Sequence, residues 1–191
     1  KLVDTSDEWI TSRVGINQRH VVSDGEASSD MSTKVAHSLL EKRGISAANI
    51  DVIIIGTVTP DHPTPSTAAI VQNNINAENA WAFDLSAACS GFLYALETGA
   101  KFIESGQYKT IMVIGVDTMT SILDFEDRET CIIFGDGAGG VILEASKSNT
   151  GILGSVLKTD GSGADSLNVL AGGSKYPASL TTIKNRQHYI K

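Results

Sequence analysis

Two runs decide what this chain can fold into: DVIIIGTV (residues 51–58) and TIMVIGVD (residues 110–117). Each is a continuous, β-branched apolar stretch of strand length, without alternating polar positions. Side chains of a strand point to its two faces in turn, so such a run has to be buried on both. A sheet of that kind needs one layer of helices above it and another below.

The rest of the sequence supplies those layers. ASSDMSTKVAHSLLEKRG (27–44) reads as an amphipathic helix with Met31, Val35, Leu39 and Leu40 on one face. A Ser/Asp cluster caps its start and Gly44 stops it. After a proline-rich loop, TPDHPTPS (59–66), a second helix is expected from Thr67 to Ile75. WAFDLS (81–86) reads as a strand. A third helix should follow, with Phe92, Leu93, Leu96, Ala100 and Ile103 at helical spacing and an end near Gly106. CIIFGDGAGGVILEAS (131–146) and GILGSVLKTDG (151–161) read as further strands, and residues 161–173 as a long surface loop. Strand–helix alternation at this spacing predicts an α/β fold: a mixed five-stranded sheet with helices on both faces.

Composition narrows the functional classes. The net charge of −7 argues against nucleic acid or an anionic membrane as a partner. No apolar run approaches the ~20 residues of a transmembrane helix. Two cysteines make neither a disulfide framework nor a metal cluster, which suits reduced thiols in a cytoplasm. The chain opens KLVDTSDEWI without an initiator methionine and stops at QHYIK, so it is expected to be a piece of a longer protein.

Cys89 stands where the strand WAFDLS gives way to a helix, among Ala87, Ala88, Ser90 and Gly91, where the backbone can turn sharply. A thiol at a helix start feels the partial positive charge of unpaired N–H groups, which favours the thiolate. A nucleophile on such a turn can also use its own backbone N–H to stabilise an oxyanion, which suits acyl transfer through a thioester. The competing reading is a small buried hydrophobe. Cys131, heading the apolar strand CIIF, reads as structural. GDGAGG (135–140) has the letters of a dinucleotide fingerprint, but a strand follows it instead of a helix, so a tight turn between strands is expected. His20, His37, His62 and His188 form no metal-site spacing with the cysteines, and none is marked as a base for Cys89.

In series, DTSDEWITSRVGI (4–16), DLSAACSGFLYAL (84–96) and DRETCIIFGDGAGGVIL (127–143) resemble β-ketoacyl-acyl carrier protein synthase III. That condensing enzyme starts type II fatty acid synthesis. The resemblance implies a thiolase-like fold, layered α-β-α-β-α and usually homodimeric, of which residues 1–191 would be the N-terminal half. The first strand and the whole second half would be absent, and residues 161–191 would form a loop and connection toward that half. It implies that Cys89 takes an acyl group from acyl-CoA and passes it to the carbanion formed by decarboxylation of malonyl-acyl carrier protein. Acyl-CoA is then a substrate, with no permanently bound cofactor and no metal. Trp9 and Arg128 would sandwich the CoA adenine, a stacking and cation–π role, with Thr5 and Arg13 in the same motif.

The acyl pocket would include Thr64, Met119 and Phe134. Some relatives carry a bulky aromatic where Thr64 stands, so a threonine implies room for a longer or branched primer. Glu129 departs from the small residue expected after the adenine-stacking arginine. The family's histidine and asparagine fall beyond Lys191, so this piece alone is expected not to condense. Two alternatives stay open: another thiolase-fold acyltransferase, of the hydroxymethylglutaryl-CoA synthase or polyketide synthase type, or a non-catalytic structural half.

Overall fold

In the computed structural model, which describes residues 3–148 and 150–191, the two β-branched runs lie side by side. The elements in chain order are α1 (Asp7–Val14), α2 (Ser28–Arg43), β1 (Val52–Gly56), α3 (Thr67–Asn74) and β2 (Trp81–Leu85). There follow α4 (Gly91–Glu104), β3 (Thr110–Thr118), α5 (Arg128–Cys131), β4 (Asp136–Glu144) and α6 (Leu180–Lys184). The chain divides into two compact units. The larger comprises Ser23–Asp117 and Gly137–Leu157; the smaller comprises the chain up to Val22, Thr118–Asp136 and Lys158–Lys191.

The larger unit holds the sheet, in strand order β2-β1-β3-β4. β1 runs parallel to both neighbours, with Ile54 opposite Phe83 on one side and Val113 on the other. Residues 52–55 and 111–114 have no exposed surface, as doubly buried strands require. Each such side chain contributes about 1.5–3 kcal/mol by leaving water. Alternate residues serve opposite faces. Ile53, Ile55, Met112 and Ile114 pack with Ala36 and Leu40 of α2 and Ala68 and Val71 of α3. Val52, Ile54, Ile111 and Val113 pack with Ala95 of α4, flanked by Phe92 and Phe102.

The buried stripe of α2 is Ser28, Ser29, Ser32, Ala36 and Leu40, whereas Met31, Val35 and Leu39 are only half-buried. All four residues of the expected apolar face meet the core, Leu40 in it and the other three packed against it, and the serines with Ala36 add a more deeply buried stripe. Small side chains at i, i+4 spacing let the helix approach the sheet closely, and that closeness buries them. Gly44 ends α2 in the left-handed conformation (φ 70°), as its position predicts.

Three strand expectations are corrected. The sheet has four strands among the described residues instead of five. GILGSVLKTDG forms no strand, because apolar residues make a strand only where a neighbour offers a ladder; Leu153 and Val156 stay 86% and 83% exposed. CIIF is not the head of a strand either: Cys131 ends the short helix α5, capped by the Asp127 carboxylate, which accepts from Glu129 N at 3.0 Å. The residues of GDGAGG from Asp136 onward lie inside β4 and not in a turn. Gly140 shows why glycine serves there, since a Cβ would come within 2.7 Å of the Val113 carbonyl oxygen.

In the smaller unit, the Asp136 carboxylate accepts from Val22 N (2.9 Å), Thr120 N (2.8 Å) and Thr120 Oγ1 (2.6 Å). Asp124 pairs with Arg186, whose Nε donates at 2.9 Å, and Ile190 N donates to the Ile122 carbonyl at 2.8 Å. The last stretch is thus tied down by an isolated antiparallel bridge, Val169 to Ile190, and by these contacts.

Candidate active site

Cys89 sits in a single 3-10 turn, Ala88–Ser90, between β2 and α4. The turn is strained. Ala88 has φ 46°, in the left-handed region that costs an L-residue about 1–2 kcal/mol. The Ser90 N–H closes it on the Ala87 carbonyl at 3.1 Å. Crowding then holds it, because β1 and the start of α4 approach backbone to backbone: a Cβ on Gly56 would lie 2.7 Å from the Gly91 carbonyl carbon. The result is an exposed thiol two residues ahead of the first residue of α4. Ser90 makes no side-chain cap, so the first N–H groups of α4 carry no side-chain acceptor from it. The Gly91 N–H bonds the Ala88 carbonyl, and the exposed thiol beside this turn is placed to attack a thioester carbonyl.

Thr64 lies in the same unit, exposed near the tip of the loop from β1 to α3, and its peptide bond to Pro65 is cis. Two carboxylates that shape this end of the sheet were missed by motif reading. Asp84, the one charged residue of β2, accepts from Thr67 N at 2.7 Å and Ala68 N at 2.8 Å. Asp117, near the end of β3, accepts from Val58 N at 2.8 Å and from Thr59 Oγ1 at 2.9 Å. The available signal was an aspartate placed inside an otherwise apolar strand run, where a charge persists only if it is hydrogen-bonded.

The smaller unit brings Trp9, Arg13 and Arg128 together. Ser6 caps α1, accepting from Trp9 N at 3.2 Å, and fixes Trp9 in the first turn. The Arg128 guanidinium, at the start of α5, lies 4.4 Å over the indole centroid, and that of Arg13 lies at 5.9 Å. Both distances are within cation–π range. Trp9 is 38% exposed, so the stack borders solvent and presents a flat aromatic face with two cations.

Thr5 lines a cavity of about 480 Å³ in this unit together with Ile10, Arg19, Phe125, Ile132 and Phe134. Thr5 Oγ1 and Arg19 Nη1 are buried there without a hydrogen-bond partner among the described residues. An apolar cavity of this size with two unsatisfied polar atoms suits a chain-like ligand that carries hydrogen-bonding groups. Thr5 and Phe134 therefore share one cavity. Met119, half-buried, opens the 3-10 turn Met119–Ile122 and is not among the residues lining it. Cys131 also lines the cavity, and burial, aided by the nearby Asp127 charge, pushes its thiol up from the ordinary value, which disfavours the nucleophilic thiolate. Among the described residues, no cluster of His, Cys, Asp or Glu could hold a metal ion.

Residues 83–161 match the family model described as 3-oxoacyl-[acyl-carrier-protein (ACP)] synthase III. Over all of its length the chain is 57% identical to the β-ketoacyl-[acyl-carrier-protein] synthase III of Chlorobaculum tepidum and 52% identical to that of Solibacter usitatus. It spans 59% and 58% of those two proteins. The crystal structure of the Thermus thermophilus synthase III superposes with a TM-score of 0.82 at 38% identity, over 87% of this chain and 51% of that one. For the Aquifex aeolicus synthase III the TM-score is 0.75 at 46% identity, over 77% and 47% of the two chains. Over the stretch it spans, the chain belongs to the β-ketoacyl-[acyl-carrier-protein] synthase III family.

Proposed function

We propose that this chain carries the nucleophile of a condensing enzyme that joins an acyl group from acyl-CoA to malonyl-acyl carrier protein, as in the initiation of fatty acid synthesis. The observation that carries the reading is the exposed Cys89 thiol on a strained strand-to-helix turn, beside the uncapped start of α4. The Cys89 thiol gives up its proton, the thiolate attacks the thioester carbonyl, CoA leaves as its thiolate and takes up the proton released, and acyl-cysteine remains. Malonyl-acyl carrier protein then loses carbon dioxide, and its carbanion displaces Cys89 to form the β-ketoacyl carrier product. The thiol does this chemistry, so no resident cofactor is called for.

In this reading Trp9 and Arg128 take the adenine of CoA between them, Arg128 pivoting away to admit it, with Arg13 beside the ring and Thr5 offering its unpartnered hydroxyl to the nucleotide. The small side chain of Thr64 leaves room for a branched primer. The enzyme works in the cytoplasm, which suits its free thiols and the lack of any described helix long and apolar enough to cross a membrane. It acts as a homodimer. β2 is the edge strand of the sheet, and its Trp81 is 43% exposed, stacked on Phe83 at 5.3 Å. An unpaired edge flanked by aromatic rings is where a second copy can extend the sheet.

The test is intact mass after incubating a full-length protein carrying this sequence with acetyl-CoA and with isobutyryl-CoA. One acyl adduct on Cys89 is expected, more rapidly from isobutyryl-CoA, and none in Cys89→Ser. An adduct that survives Cys89→Ser would remove the nucleophile assignment, and a strong preference for acetyl-CoA would remove the role given to Thr64.

A further inference from the structure

The loop from β1 to α3 is held by carboxylates at its start, its middle and its end. At the start, Asp117 Oδ1 accepts from Thr57 Oγ1 (3.1 Å), Val58 N (2.8 Å), Thr59 N (3.2 Å) and Thr59 Oγ1 (2.9 Å). In the middle, Asp61 reaches α2, accepting from Ser29 N at 2.8 Å and Ser29 Oγ at 2.6 Å. At the end, the two oxygens of Asp84 divide the first two N–H groups of α3, those of Thr67 and Ala68. Between the last two anchors the tip stands out: His62, Pro63, Thr64 and Pro65 are all exposed.

Asp84 differs from the other two in where its strand leads. It is the penultimate residue of β2, and the chain runs from it through Leu85 into the turn of Cys89. The Leu85 carbonyl accepts from Thr57 N at 3.2 Å, so the start of the loop is fastened at the same place. One carboxylate thus joins the nucleophile's turn to the helix that begins three residues after Thr64. We infer that Asp84 is a positioning residue that holds the Thr64 loop and the Cys89 turn in a single arrangement, and thereby sets which primers are accepted. The inference rests on the acyl-transfer reading above.

The physical basis is the geometry of a two-pronged acceptor. A carboxylate satisfies both N–H groups at once with charge-assisted bonds. Asparagine has the same shape but keeps only one acceptor oxygen, and its NH₂ faces an N–H that it cannot bond. One prong opens, and the start of α3 is free to shift with the loop attached. Asp51 provides the control. Its Oδ2 alone accepts from Lys109 N (2.7 Å) and Thr110 N (3.0 Å), a carboxylate contact with two backbone donors at the opposite end of the strands, just before β1 begins. Asparagine could keep both bonds on one oxygen, so the control substitution is alanine, which removes them.

The experiment loads a full-length protein carrying this sequence with acetyl-CoA and isobutyryl-CoA in competition. It reads the ratio of the two Cys89 adducts by intact mass and records thermal unfolding of each variant. Asp84→Asn is expected to change the ratio by about three- to tenfold, since sub-ångström misplacement of reacting groups is enough for that. Asp51→Ala should lower the melting temperature and leave the ratio as in the wild type. An unchanged ratio in Asp84→Asn overturns the inference, and so does an equal shift in Asp51→Ala, which would mean general loosening. Should Asp84→Asn fail to fold, Asp84→Glu keeps the charge and lengthens the arm by a methylene; the same shift is expected, and a wild-type ratio is again a refutation. A wild type that acquires no adduct at Cys89 from either thioester refutes the acyl-transfer reading and takes this inference with it, a result visible before any variant is compared.

Discussion

Gly56→Ala tests whether backbone crowding places the reactive thiol. Gly56 is the last residue of β1, and a methyl group there would lie 2.7 Å from the Gly91 carbonyl carbon, 2.9 Å from its oxygen and 3.0 Å from Phe92 N. Ordinary contacts between such atoms fall at about 3.5–4.0 Å, and all three neighbours are backbone, so no rotamer change relieves the clash. Relief requires the start of α4 or the end of β1 to move by about 1 Å. Overpacking of this kind costs about 1–3 kcal/mol, a fall in melting temperature of about 2–4 °C per kcal/mol for a chain of this size. Gly91 is two residues from Cys89, so the movement passes to the thiol. Misplacement by about 1 Å lowers a reaction that needs oriented partners about 100-fold. The assay compares two rates at Cys89: acylation by acetyl-CoA, which needs orientation, and alkylation by iodoacetamide, which needs only an accessible thiolate. Acylation should fall about 100-fold while alkylation changes little. Gly99→Ala is the contrasting variant, because its methyl meets Leu143 Cδ1 at 2.9 Å, the end of a flexible side chain, and alanine suits a helix interior by about 1 kcal/mol. It should acylate as the wild type does. A folded Gly56→Ala protein with wild-type acylation would refute the reasoning, since this backbone approach would then have no hold on the thiol.

The Asp124–Arg186 pair predicts an acid-labile contribution in the smaller unit. The Arg186 guanidinium holds the Asp124 carboxyl below its ordinary value even though burial pushes it up. A carboxylate depressed in the folded state stabilises above its unfolded value of about 3.9 and loses that effect as pH falls through the folded value. Arg186→Ala should therefore lower the melting temperature at neutral pH, and only modestly because the arginine side chain is 42% exposed and screened by water. The difference from the wild type should shrink below about pH 4; a gap in melting temperature unchanged from pH 7 to pH 2 would dismiss the pair as its source. For the dimer, sedimentation of the full-length protein should give twice the monomer mass, and Trp81→Lys at the β2 edge should shift it toward monomer. A monomeric wild type would end that assignment.

How much of this was legible in the sequence depends on the range of the interaction that decides each feature. The runs at 51–58 and 110–117 announced a doubly buried sheet because burial on both faces leaves no polar position to hide. Gly44 announced the end of α2, since a left-handed cap is decided within one turn of helix. Periodicity found the face of α2 that meets the core, with Leu40 in it and Met31, Val35 and Leu39 against it, but not the burial of Ser28 and Ser32, because hydrophobicity does not say how closely the helix sits. GILGSVLKTDG had the composition of a strand, but pairing depends on a neighbour whose presence no local signal encodes.

The site divides in the same way. Small residues around Cys89 foretold a sharp turn, whereas the strain at Ala88 is maintained by Gly56, more than thirty residues earlier in the chain, and became readable only in three dimensions. Asp84 is the instructive intermediate. A lone aspartate in WAFDLS already implies a hydrogen-bonded clamp, because a strand packed against helices does not hold an unsatisfied carboxylate. What the clamp grips follows from the crossover that brings α3 back over β2, so its partners, Thr67 and Ala68, follow from topology. A charged residue interrupting an apolar strand run is therefore worth treating as half of a contact; for Asp84 the other half is the start of the helix that precedes the strand, and for Asp117 it is the segment that leaves β1.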